Sequence, residues 1–103
     1  MIYIKIHNTD NGDIVAMCDS SLIDKVLAEG EVEINIKDYS EFYKGELVEA
    51  GKVPKMINLG HLFSANIVGK ESVDAAIKCS IIDKNNVLKV NKIPYANAFR
   101  LKY

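Results

Sequence analysis

The stretch Ala65-Asn66-Ile67-Val68-Gly69-Lys70-Glu71-Ser72 constrains the fold most tightly. It reads as a short buried strand, a glycine and the start of a helix. Val73, Ala76 and Ile77 then share one helical face, while Lys70, Asp74 and Lys78 lie opposite. A helix with one apolar face, fed directly by a strand, packs on a sheet. The glycine lets the backbone turn sharply, and the first N–H groups of the helix lack intrahelical partners, so an anion can sit there.

The flanking segments supply the sheet. Ile2, Ile4 and Ile6 alternate with Tyr3, Lys5 and His7, which predicts a strand with Lys5 and His7 on its exposed side. Ile14 to Cys18 is apolar on both faces, and Asn11-Gly12 between the two runs favours a tight hairpin, with the second strand more central. Asp19 then stands as an N-cap before Ser20-Ser21. With Leu22, Ile23, Val26 and Leu27 at helical spacing, it predicts a short helix stopped by Gly30. Strict alternation from Glu31 to Lys37 predicts a half-exposed strand.

Residues 38–64 are less regular. Phe42-Tyr43-Lys44-Gly45 reads as an aromatic anchor and a turn, Leu47-Val48 as a brief strand, and Lys55 to Leu59 as a turn or two of helix with Pro54 near its first position. Ser80 ends the central helix. Asp83-Lys84-Asn85-Asn86 is turn chemistry, and Val87 to Val90, Asn91-Lys92 and Ile93 to Leu101 form a second hairpin with Pro94 at an edge or strand start. The expected fold is α+β: a single domain over residues 1–103, with a mixed, mostly antiparallel sheet built from N- and C-terminal hairpins and two to three short helices.

A chain of 103 residues, 49% apolar, can bury one core. No segment approaches the ~20 apolar residues of a membrane span, and Met1 to Ile6 lacks the pattern of a signal peptide. A cytoplasmic protein without membrane association is therefore expected. Cys18 and Cys79 form no Cys-x-x-Cys pair, which suits reduced thiols.

The net charge of −1 conceals a polarity. From Asp10 to Glu49 eleven acids face three lysines, whereas after Asp83 there is no acid and Lys84, Lys89, Lys92, Arg100 and Lys102 are interleaved with Tyr95, Phe99 and Tyr103. Such a split marks a phosphate-facing surface or, alternatively, basic strands paired beside acidic ones.

Gly69-Lys70 is not a P-loop, because Ser64 stands where the upstream glycine belongs and Glu71 where Ser or Thr belongs. Cys18, before a helix start, has the placement of an activated thiol, although Asp19 opposes the thiolate; a buried inert thiol is the default. His7, His61, Cys18 and Cys79 share no zinc-type spacing, so neither a metal nor another cofactor is expected.

Ala16-Met17-Cys18-Asp19, Glu41 to Val48, Ala65-Asn66-Ile67-Val68-Gly69, Ile82-Asp83 with Asn86-Val87-Leu88, and Ile93-Pro94-Tyr95-Ala96 through Arg100-Leu101 resemble the landmarks of a small archaeal family, domain of unknown function 424. The family often carries His where Tyr95 stands, and its segment before the Ala-Asn-x-x-Gly motif is more acidic and regular than Lys52 to Ser64. The resemblance implies a stand-alone archaeal cytoplasmic protein without an established activity. A role beside core machinery such as translation is consistent with it.

The leading expectation is a non-catalytic module for RNA or a ribonucleoprotein, using Asn66, Gly69, Lys70, Lys89, Lys92, Tyr95 and Arg100. The competing expectation is a small enzyme or ligand binder, with Cys18 or Asn66 joined by Tyr43 and Tyr95 around a pocket beside the Gly69 turn. A protein partner or homo-oligomer, through an exposed edge strand, is the third.

Overall fold

The computed structural model describes residues 1–99. Two hairpins and two further strands build a six-stranded sheet. Strands β1 (Ile2–Thr9) and β2 (Gly12–Asp19) form the N-terminal hairpin; β5 is Glu46–Val48, β6 Leu62–Val68, β7 Leu88–Val90 and β8 Ile93–Phe99. Their order is β5-β1-β2-β6-β8-β7. All neighbours are antiparallel except the central pair, β2 and β6, which run parallel and set Met17 beside Ile67 and Cys18 beside Val68. The mixed, mostly antiparallel α+β architecture matches the expectation.

A separate two-stranded hairpin pairs β3 (Val26–Glu29) with β4 (Val32–Asn35). Three short α-helices lie among the described residues: α1 (Ser40–Tyr43), α2 (Val53–Met56) and α3 (Lys70–Lys78). Pro54 sits at the start of α2, where its missing N–H costs nothing. No helix of the described residues is long and apolar enough to cross a membrane.

The sheet is covered on both faces. Ile2, Ile4, Val15, Met17, Ala65, Ile67 and Ala96 point to one side and pack with Val73 and Ala76 of α3 and with Val53 of α2. Each fully buried Val or Ile there contributes about 1.5–3 kcal/mol. On the other side Ala16, Cys18 and Val68 meet Leu22 of the turn after β2 and Leu27, Ile36 and Tyr43 of the segment spanning β3, β4 and α1. Lys5 and His7 lie beneath this second cover rather than on an open face: Lys5 Nζ donates to the Glu41 carbonyl at 2.7 Å, and His7 stacks on Phe42 at 4.7 Å between ring centroids.

The helix expected between Asp19 and Gly30 does not form. Ser20–Leu22 makes one 3-10 turn, Asp24 turns the chain at φ 67°, and the next residues run as β3. The stripe of Leu22 and Leu27 is real and both are buried, but strand pairing with β4 supplies the backbone bonds that a helix would have made internally. The carbonyl of Lys25 also accepts from the N–H groups of Ile36 and Lys37, at 2.9 and 3.1 Å.

Helix α3 ends as its sequence suggests. Ser80 adopts φ 63°, its N–H donates to Ile77 O at 3.0 Å, and Ile81 N–H donates to Ala76 O at 3.0 Å. These two bonds are the Schellman closure, with serine where glycine is usual.

Candidate functional site

The corner at Gly69 is closed from within. Parallel pairing of β2 with β6 brings the end of one strand beside the end of the other, and so sets Asp19 against the first turn of α3. Its carboxylate accepts from Glu71 N–H at 3.1 Å, Ser72 N–H at 2.8 Å and the Ser72 hydroxyl at 2.8 Å. Asp19 is therefore a cap for α3, across some fifty residues, and not for the segment that follows it. The helix-start N–H groups of Glu71 and Ser72 are thus already paired. Gly69, at φ 109°, has no room for a Cβ, which would strike the Asp19 carboxylate.

The other candidates divide between the two faces of the sheet. Lys70, Lys89 and Lys92 converge, with Lys84, on a groove of about 470 Å³ between α3 and the turn joining β7 to β8, floored by Val73, Ile77, Val87 and Pro94. Among the described residues Asp74 is the only acid on its walls. None of the four lysines makes an ion pair within the described residues, where the sole salt bridge joins the Met1 amine to Glu71. Asn91 and Lys92 both take positive φ, 50° and 66°, the geometry of a two-residue hairpin turn, and this turn projects Lys92 to the groove's rim. A second groove of about 560 Å³ shares Ile77 and Lys84 with the first and carries Phe99, which is 74% exposed. Arg100 lies outside the described residues.

Within the six-stranded sheet Glu46 of β5 and Lys89 of β7 stand on opposite edge strands, but the acidic half does reach the basic hairpin, where Glu29 of β3 accepts from the Asn91 N–H at 2.7 Å. Lys89 faces Pro94 across its ladder.

Asn66 and Tyr95 belong to the opposite face. There β4, α1, β6 and β8 border an open cavity of about 580 Å³ lined by Asn66, Asn97, Tyr39, Phe42, Tyr43 and Tyr95, among others. Asn66 and Asn97 are register partners across β6 and β8, so their carboxamides stand side by side on its floor. The convergence expected for Asn66, Tyr43 and Tyr95 is thus met. Asn97 escaped notice because only the pairing register places it next to Asn66.

Cys18 does not join them as a reactive group. It is fully buried, its thiol donates to the Asp19 carbonyl at 3.3 Å, and burial, reinforced by the Asp19 charge, pushes its pKa up to about 12. It is a neutral thiol at physiological pH. Burial, with a lesser contribution from Cys18, likewise pushes the Tyr43 phenol up to about 12. Among the described residues no cluster of His, Cys, Asp and Glu could hold a metal ion.

Residues 6–101 match the family described as "Protein of unknown function (DUF424)". The chain belongs to this family. A comparison with curated proteins finds no match. Among solved structures, this family member is similar to an uncharacterized conserved protein from Methanopyrus kandleri, with a TM-score of 0.80 over 99% of this chain and 96% of that one, at 17% identity. That likeness extends to the fold. Neither comparison carries an activity or a ligand.

Proposed function

We propose that this DUF424 protein is a non-catalytic module that binds single-stranded RNA along its lysine groove. The observation that carries this reading is the convergence of Lys70, Lys84, Lys89 and Lys92 on one groove where, among the described residues, no carboxylate lies close enough to pair with them. Four like charges gathered on one surface repel one another, and a polyanion relieves that repulsion while releasing its own counterions. Lysine acts here as a point charge, suited to phosphates rather than to reading base edges.

An exposed aromatic favours an unpaired strand over a duplex. Phe99 stands in the adjoining groove, packed edge-on against Phe63 at 6.3 Å, and offers its open side to a base. An archaeal, translation-linked setting is the context in which we place such a module.

Titration of a labelled single-stranded RNA at several salt concentrations tests the reading. Four phosphate contacts predict an affinity that falls with salt at a log–log slope of about −3. Changing Lys70, Lys89 and Lys92 together to Ala should flatten that slope by about 2 units. No binding at low salt, or capture of an acidic protein by the same lysines with no nucleic acid bound, would overturn it.

A further inference from the structure

The cavity on the other face of the sheet has a different chemistry from the lysine groove. Among the described residues, neither the Asn66 nor the Asn97 carboxamide has a hydrogen-bond partner, and neither does the hydroxyl of Tyr39, Tyr43 or Tyr95. The unpaired polar atoms of Asn66, Tyr43 and Tyr95 are not sealed away from solvent, and Asn97 and Tyr39 are exposed residues. Tyr43 is almost wholly buried, so its hydroxyl reaches open space at the cavity it lines. Two adjacent carboxamides offer two acceptors and four N–H donors in a fixed relation set by the strand register. Natural cavities of this size pair apolar and aromatic walls with a few polar groups that orient a ligand.

The walls are held in place. His7 stacks on Phe42 with only 11° between the ring planes, and His7 Nε2 and the Phe42 carbonyl are hydrogen-bonded at 2.9 Å. Phe42 in turn meets Tyr43 edge-on at 5.2 Å. Tyr95 comes from β8, whose ladder with β6 places it opposite Val68. The aromatic wall is thus braced from behind, and a flat ring entering it encounters little rearrangement.

Charge decides which flat ring fits. Among the described residues, Glu33 is the only ionised side chain lining the cavity, and no Lys or Arg lines it. A phosphate or carboxylate would enter without a counter-charge, whereas a neutral heteroaromatic with donors and acceptors along its edge matches both the walls and the floor.

We propose that the cavity floored by Asn66 and Asn97 and walled by Phe42, Tyr43 and Tyr95 binds a neutral nucleobase-type ring, as a free base or nucleoside. The site is separate from the lysine groove, and the inference stands whether or not that groove binds RNA. The carboxamides pair with the ring's polar edge, as Asn pairs with the N6 and N7 edge of adenine, and the aromatic side chains cover its faces. The Tyr43 hydroxyl, kept protonated well past neutral pH, donates to a ring acceptor.

The test is titration of the full chain with adenosine, guanosine, cytidine and uridine, read by amide and side-chain NMR shifts. At least one nucleoside should shift the side-chain NH₂ signals of Asn66 and Asn97 while leaving Lys70 and Lys89 unmoved. Its 5′-monophosphate should bind about fivefold or more weakly, since it brings negative charge to a site whose one ionised side chain among the described residues is Glu33. Asn97→Ala, and separately Asn66→Ala, should each weaken binding about tenfold. Tyr39→Phe, a change at an exposed residue that leaves the core untouched, provides a variant certain to retain the packing, and should weaken binding by a smaller factor. Absence of shifts for every nucleoside at millimolar concentration would overturn the proposal. So would shifts confined to the lysine groove, unchanged affinity in all three variants, or closure of the cavity by a second copy of the chain.

Discussion

The two faces of the central sheet are built from the same strands and do opposite things. Along β6, Ile67 points into the packed interface with α3, while Asn66 next to it points into the open cavity beneath β4 and α1. On the helix side the buried side chains are almost all aliphatic and fill their space. On the hairpin side small residues such as Ala16 and Cys18 sit beside polar and aromatic ones that leave room. One face stabilises the fold, and the other holds groups whose hydrogen-bonding capacity is unspent. The two-residue period of a strand makes this division possible, since successive side chains answer to different neighbours.

The sharpest way to break that contrast is to truncate adjacent residues. Ile67→Ala should destabilise the protein by about 4 kcal/mol, the cost of a cavity in a filled interior. Asn66→Ala should change stability by about 0.5 kcal/mol or less, because its carboxamide leaves no protein partner behind. Chemical denaturation of both variants measures the difference; equal losses would mean that the cavity floor is structural.

The corner joining the faces to α3 comes next in size. Gly69→Ala should cost about 3 kcal/mol, from a strained backbone angle and from displacement of Asp19 off Glu71 and Ser72. A matching loss of α3 amide protection in hydrogen exchange would show that the cap is the cause.

The third test uses pH to sharpen the account of the hairpin side. Cys18 and Tyr43 hold pKa values raised to about 12 in the folded state, above the ordinary 9.0 and 10.0. Both groups bind protons more tightly folded than unfolded, so their contribution is complete below about pH 9 and is lost as pH rises towards 12. Unfolding midpoints measured across that window should fall, and Cys18→Ala should fall less steeply than the native chain. An identical slope in both would contradict a buried neutral thiol.

Local pattern was enough to read β1, β2, α3, both main hairpins and the strand-glycine-helix corner, because each depends on side-chain period or turn chemistry within a few residues. It misread residues 20–29. Leu22 and Leu27 fit a helical stripe, yet Asp19, the apparent cap, is held by α3, and the backbone bonds go to β4. Similarly, Lys5 and His7 looked exposed because nothing within β1 announces the cover that Phe42 and Glu41 provide. The landmarks from Ala16-Met17-Cys18-Asp19 through Ala65 to Gly69 point to the family that residues 6–101 match, but not to the site's shape.

Tertiary structure alone decided where these residues meet. Parallel pairing of β2 with β6 put Asp19 at the Gly69 corner and filled it; antiparallel pairing of β6 with β8 put Asn97 beside Asn66; and the packing of α3 against the last hairpin gathered four lysines that are spread over residues 70 to 92. Each of these contacts joins positions distant along the chain, and no short-range periodicity encodes which strand lies next to which. Strand order and register, set by burial of both sheet faces at once, supply that information.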